Sequence, residues 1–244
     1  MLATLRALLF VDPLIVLLTI VMGSLSLGAS LIDSTGRRQH RIAREWARLL
    51  LKVSGVRVVA EGVQKLDPGG CYVLVCNHVS LMDIPVLLTY LPLQIRFFAK
   101  YGLFRIPFLG THLRRAGHLP VVRGDARASL KILQEAARLI PRRGITPLLF
   151  PEGGRSPVVL REFKEGAAHL AIKAGVPVVP VGLSGTREIL PMGSMVVRPG
   201  LVHLRVGDPI PTEGMKSHHR GPLTLQLREK VTELMEPQAA SVHK

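Results

Sequence analysis

An α/β domain preceded by a helical membrane segment is the fold this sequence predicts, and three observations predict it. After Val53, short β-branched and apolar runs alternate with longer stretches of helical periodicity, the pattern of strands and helices in a layered α/β domain. Between Leu14 and Ile32 lie nineteen residues without a charge, LIVLLTIVMGSLSLGASLI; as a helix they extend about 28 Å, close to the hydrocarbon thickness of a bilayer. A chain of 244 residues buries one sizeable core, so one domain with an appendage fits better than two equal halves. The division expected is 1–54 as membrane-anchoring helices and 55–244 as the α/β domain.

The N-terminal segment can span a bilayer or dip into one leaflet. Asp12-Pro13 interrupts the apolar run that begins before it, and Gly23, Ser24, Ser26, Gly28 and Ser30 crowd its second half. It makes a poor signal peptide, because Arg6 is the only positive charge ahead of it. The dense basic cluster, Arg37, Arg38, Arg41, Arg44 and Arg48, comes afterwards, which by the positive-inside tendency places it and all that follows on the cytoplasmic side. Ile42, Trp46, Leu49, Leu50 and Val53 recur near helical spacing among those arginines. We read this stretch as a helix on an anionic membrane surface; the alternative is a helix packed on the core with a solvated basic face.

The strands expected are Val56–Glu61, Cys71–Cys76, Ile95–Lys100, His118–Arg123, Thr146–Pro151, Val176–Leu183 and Val202–Gly207. Helices are expected at Leu81–Tyr90, Phe104–Arg115, Ala126–Pro141, Phe163–Ala174 and Leu223–Met235, the last with Leu223, Leu227, Val231 and Leu234 on one face. Cys71 and Cys76, the only two cysteines, fall in one strand on opposite faces and read as buried free thiols.

Thirty-two Lys and Arg against 17 Asp and Glu give a net charge of +15, so the partners expected are anionic. Nucleic acid is disfavoured, since aromatics are 5% of residues and no helix-turn-helix, RNP or zinc-finger spacing is present. A metal site is disfavoured too. No second histidine lies at ligand spacing from His78, and His218-His219 sits in a loop far along the chain.

Two clusters carry chemistry. In VLVCNHVSLMDIPVLL an apolar strand ends in Asn77-His78, with Asp83 five positions beyond the histidine. The C-terminal edge of an open α/β sheet is where ligands bind. A histidine there can act as a general base when a carboxylate fixes its tautomer. Ser80 and Asp83 also form an S-x-x-D pattern that can serve simply to cap the following helix, and the two roles are compatible. In LLFPEGGRSP another apolar strand runs into Glu152, Gly153, Gly154 and Arg155. Paired glycines can turn backbone N–H groups toward an anion, and arginine offers phosphate a bidentate fork; a tight surface turn explains the glycines equally well. Lys164 opens a helix downstream, Lys100 sits among apolar residues fit for a lipid tail, and Arg123 ends a strand.

Taken together these residues resemble the glycerophospholipid acyltransferase family, most closely the bacterial 1-acylglycerol-3-phosphate acyltransferases. The N-H-x-x-x-x-D motif matches at Asn77, His78 and Asp83, a second block at AKYGLFRIPFLG, F-P-E-G-x-R-S at Phe150 to Ser156, and V-P-x-x-P at Val176 to Pro180, in the family's order. The resemblance implies a mixed, largely buried sheet flanked by helices behind a helical membrane anchor, at the cell inner membrane. It implies His78 as the base that deprotonates a lysophospholipid hydroxyl, Asp83 as its orienter, and direct attack on an acyl thioester. Asn77, Lys100, Arg123, Glu152, Gly153, Gly154, Arg155 and Lys164 are carried over as substrate-binding residues. No cofactor is implied; acyl-coenzyme A or acyl carrier protein is the co-substrate, lysophosphatidic acid the acceptor and the bilayer a partner. Gly154 stands where the family usually has Thr, and Gly102 where it often has Glu. Another lysolipid acceptor, including a lyso-aminolipid, is therefore open, as is a non-catalytic lipid-binding protein.

Overall fold

The computed structural model describes residues 5–121, 126–155 and 160–236. Seven strands form one sheet: β1 (Val56–Glu61), β2 (Val73–Cys76), β3 (Ile95–Lys100), β4 (Leu119–Val121), β5 (Thr146–Leu149), β6 (Val178–Ser184) and β7 (Gly200–Val206). Their order is β1-β7-β6-β2-β5-β3-β4. β6, β2, β5, β3 and β4 run parallel, while β7 pairs antiparallel with β6 and carries β1 alongside it in its own direction. The sheet is thus mixed, with five C-terminal strand ends along one edge.

The apolar runs of the central strands follow from burial on both faces. Leu74 and Cys76 of β2 point into a core shared with Leu50, Leu87, Leu91 and Ile95, whereas Val73 and Val75 join Ile140, Ala168, Leu170 and Leu227 on the opposite side. Eight α-helices accompany the sheet among the described residues: α1 (Asp12–Ala29), α2 (Arg37–Ser54), α3 (Asp83–Tyr90), α4 (Leu109–Arg115), α5 (Ala126–Arg143), α6 (Gly166–Ala174), α7 (Thr186–Ile189) and α8 (Arg220–Met235).

The stretch Ala7–Ala29 is helical for 23 residues and is long and apolar enough to cross a membrane. Asp12-Pro13 does not break it; Pro13 lies at the start of the α-helical part, and the turn before it, Ala7–Val11, is π-helical, with the Asp12 N–H reaching back to Ala7 O. Leu14, Leu17, Ile20, Val21 and Leu25 leave an apolar face outward. The next helix corrects our membrane-surface reading of Arg37–Val53. Ala47, Leu50 and Leu51 of α2 are buried in the core with Val86 and Leu87, and the Trp46 indole donates to Thr19 Oγ1 of α1 at 3.1 Å. The helix is sandwiched between α1 and α3, so its apolar stripe is spent on protein, and Arg37, Arg38, Arg41 and Arg48 form its exposed face.

Elsewhere the elements shift by a few residues. The helix expected at Phe104–Arg115 divides into a 3-10 turn, Tyr101–Arg105, and α4. Pro107 lies at the break, where it withholds an N–H and steers Ile106 into extended backbone, and Phe108 takes a positive φ of 61°. Cys71 falls outside β2 and is half-buried rather than buried; both thiols are free. The short helix α7 had no counterpart in the sequence pattern.

Candidate active site

At the C-terminal end of β2 the chain turns sharply into α3, and Asp83 organises the turn. Its carboxylate is fully buried. Oδ2 accepts the Val79 and Ser80 backbone N–H groups at 2.9 and 3.0 Å and lies 2.7 Å from His78 Nδ1; Oδ1 accepts the Thr186 hydroxyl at 2.5 Å. Ser80 Oγ accepts the Met82 N–H at 3.2 Å and donates to Leu190 O at 2.8 Å. The Ser80–Asp83 pattern thus ties the turn that leads into α3 and orients the imidazole; α3 itself starts at Asp83 behind Met82 with no side-chain cap.

With the carboxylate accepting from four donors, the proton of His78 is assigned to Nδ1. That leaves the Nε2 lone pair, which no described residue engages, for an incoming group. The ring is stacked on Phe150, centroids 3.9 Å apart and 16° between planes, and its side chain is 14% exposed. Two contacts in different directions thus fix its orientation: a carboxylate in the ring plane and an aromatic face against it.

Glu152 closes the arrangement from β5. Its Oε1 accepts the His78 backbone N–H at 2.9 Å, and Oε2 accepts the Arg161 N–H at 3.2 Å. The side chain is 5% exposed and both oxygens are engaged. Asn77 is fully buried, giving Nδ2–H to Leu183 O at 2.9 Å and accepting the Leu183 N–H at 2.8 Å. Both side chains are engaged by the protein itself: Asn77 rivets the end of β2 to β6, and Glu152 ties the second cluster to the His78 backbone.

The remaining expected residues among those described lie along the same edge. Gly153 has a φ of 75°, a conformation open to glycine, and its N–H closes a turn onto Phe150 O at 3.0 Å. Lys164 folds over this turn: its ammonium lies 3.0 Å from where a Cβ on Gly153 would be, and its N–H donates to Pro151 O. Gly154 and Arg155 are partly exposed beside it. Lys100 is exposed at the end of β3, adjacent to β5. Arg123 lies outside the described residues, as do Ser156 and Pro157.

Two residues of this site escaped the sequence reading. Phe150 belongs to the F-P-E-G stretch, but nothing local signals that its ring meets His78. Thr186 is fully buried and 103 residues from Asp83 in sequence; only the pairing of β6 with β2 brings it there. Cys76 adds no nucleophile, because burial first, then the Asp83 and Glu152 carboxylates, push its thiol well above the usual range. Among the described residues no group of three or more His, Cys, Asp or Glu side chains is placed to hold a metal ion.

A buried sheet whose ligand edge carries a carboxylate-held histidine beside a cationic glycine turn defines a class of transferase site, and the sequence comparisons give the class its family. Residues 57–184 match the family model described as Acyltransferase; the chain belongs to that family. It is 34% identical to the chloroplastic 1-acyl-sn-glycerol-3-phosphate acyltransferase LPAT1 of Arabidopsis thaliana, over 84% of this chain and 57% of that protein. With the 1-acyl-sn-glycerol-3-phosphate acyltransferase alpha of Bos taurus it shares 31% identity over 66% of this chain and 57% of that one. The chain thus spans little more than half the length of these curated relatives. The crystal structure of the 1-acyl-sn-glycerophosphate (LPA) acyltransferase PlsC from Thermotoga maritima superposes with a TM-score of 0.75 at 28% identity, covering 95% of this chain and 97% of that one.

Proposed function

We propose that this protein transfers an acyl group from a thioester to the free hydroxyl of 1-acylglycerol-3-phosphate, forming phosphatidic acid for phospholipid synthesis at a membrane. The observation that carries this reading is the His78 ring, held at Nδ1 by Asp83 and on its face by Phe150, in a chain of the acyltransferase family. His78 Nε2 takes the acceptor's hydroxyl proton as the oxygen attacks the thioester carbonyl carbon. The tetrahedral adduct collapses with cleavage of the C–S bond, and the thiolate leaves with the proton that Nε2 carried. Nothing is oxidised or reduced, and no covalent acyl-enzyme is required. A positioned base contributes about 10² to 10⁴ in rate, and orientation of the two substrates supplies much of the rest.

Lys100, Arg155 and Lys164, around the Gly153-Gly154 turn, are the groups we assign to the acceptor's phosphate. Gly154 in place of the usual Thr keeps a second acceptor, another lysolipid, within this reading. The cytoplasmic side is proposed from the arginines that follow α1, and coenzyme A or acyl carrier protein is the proposed carrier of the acyl group. The test is turnover of acyl-coenzyme A and acyl carrier protein donors against lysophosphatidic acid, neutral lysolipids and lyso-aminolipids in detergent or liposomes. Phosphatidic acid as the main product supports the assignment; product from other acceptors alone would replace the substrate, and no product from any pair would leave a lipid-binding protein.

A further inference from the structure

A second concave feature lies away from the His78 edge, between α6 and the approach to α8. It is a cleft of about 370 Å³ lined by His169, Ile172, Lys173, Met215, Lys216, Ser217 and Arg220, within the range of about 300 to 1,000 Å³ common for small-molecule sites. His169 and Lys173 stand one turn apart on α6 and so share a face. Lys216 and Arg220 come from the opposite wall, where a 3-10 turn, Ser217–His219, leads into α8. Four basic side chains thus converge on one hollow.

The charge there is scarcely compensated. Glu165 approaches Arg220 at 3.8 Å on the rim, and no described carboxylate pairs with Lys173 or Lys216. His169 Nε2 is buried without a hydrogen-bond partner among the described residues, although buried polar atoms are normally paired. Burial, followed by the charges of Arg220 and Lys173, holds the His169 imidazole below its ordinary pKa. Such a hollow, with one unsatisfied nitrogen and several donors, fits an anion with several oxygens.

Its position ties it to the transfer site. Glu165, the rim acid, follows Lys164, whose ammonium lies against the Gly153 turn. α6 opens at Gly166, directly after Glu165, and rises about 10 Å from there to Lys173 at 1.5 Å per residue, with His169 and Lys173 of the cleft along it. A thioester donor carried on coenzyme A has this layout, with a reactive acyl end joined through an extended pantetheine arm to a nucleotide bearing phosphates.

We propose that the cleft formed by His169, Lys173, Lys216 and Arg220 binds the nucleotide phosphates of an acyl-coenzyme A donor whose thioester reaches His78. The assignment rests on the acyl-transfer reading above and names its donor. A concave, partly apolar hollow suits a nucleotide better than the broad acidic face of a carrier protein, so the latter serves as a competing outcome.

The test compares the full chain with the Lys173→Ala/Lys216→Ala double variant, two exposed substitutions that spare the core. Adenosine 3′,5′-bisphosphate, the nucleotide end of coenzyme A, should bind the wild type by calorimetry and bind the variant at least about tenfold more weakly, as loss of charge-assisted contacts implies. The variant's KM for acyl-coenzyme A should rise by a similar factor, with kcat and the KM for the lysolipid unchanged. An acyl-pantetheine donor, which lacks the nucleotide, should not distinguish the two proteins. No bisphosphate binding, or equal binding by both proteins, overturns the proposal, as does a KM change confined to acyl carrier protein. Were the wild type to turn over no donor at all, the acyl-transfer reading would fall while the calorimetry still decided the cleft.

Discussion

Asp83 accepts hydrogen bonds from four donors, three of them within its own turn and the fourth from Thr186. Removing the fourth strands a buried oxygen that water cannot reach, and an unsatisfied buried acceptor costs about 1 to 3 kcal/mol. Part of that cost is relieved by movement of Asp83, which carries the imidazole with it. Thr186→Val should therefore lower kcat by about tenfold or more with little change in KM, while Thr186→Ser, which keeps the hydroxyl, restores most of it. A Thr186→Val enzyme with unaltered kcat would show that Asp83 is positioned without it. The local sequence carried the His78–Asp83 pair because both lie within six residues. It gave Thr186 no signal, since a threonine after a glycine resembles an ordinary helix start; the same limit hid the buried ends of Asn77 and Glu152, whose partners are backbone groups far away in sequence.

At the scale of elements, two histidines hold β3 in place. His40 of α2 accepts the Ile95 N–H at 3.1 Å, and His118, just before β4, accepts the Phe97 N–H at 3.0 Å. Acceptance requires neutral rings. Burial first, then the charge of Arg96, lowers both to about 3 from 6.5, with Arg44 also facing His40 and the two further histidines, His112 and His40, facing His118. Between pH 6.5 and about 3 the unfolded chain binds more protons at these sites than the folded chain, so stability falls as the pH falls through that window. Thermal unfolding followed by circular dichroism should show Tm dropping across it, and His118→Gln, whose amide oxygen can accept the same bond, should flatten the slope. An unchanged slope in that variant would place the acid sensitivity elsewhere.

The elements themselves were largely legible because their causes are local. β1 and β3 fall on the strands expected from β-branched runs, and α2 and α5 lie within two residues of their periodic stretches. What sequence periodicity could not decide was which partner an amphipathic helix takes. The apolar stripe of α2 suits a bilayer or a protein core equally, and the core took it, with α1 layered outside. The Phe104–Arg115 helix failed for a different reason: apolar spacing outweighed Pro107, although proline is the stronger signal for a break.

For the whole molecule, the sheet order places the C-terminal ends of β2, β5 and β3 side by side, so His78, the Gly153 turn and Lys100 share one edge despite wide separation in sequence. The outward apolar face of α1 and a net charge of +15 are two physical sources from which the proposed membrane association would draw. They respond differently to salt, because charge attraction is screened at high ionic strength and apolar burial is not. On vesicles containing anionic lipid, the full chain should lose part of its binding at about 1 M salt and keep the rest; complete release would mean that α1 does not enter the bilayer.

The most direct measurement of the central claim is phosphatidic acid formation by the wild type and by His78→Ala, with equal folding of the two shown by circular dichroism and thermal unfolding. A base held by Asp83 predicts that the wild type makes phosphatidic acid from a thioester donor and lysophosphatidic acid, and that the variant is slower by at least about 10² to 10⁴. A folded His78→Ala protein with undiminished turnover would contradict it.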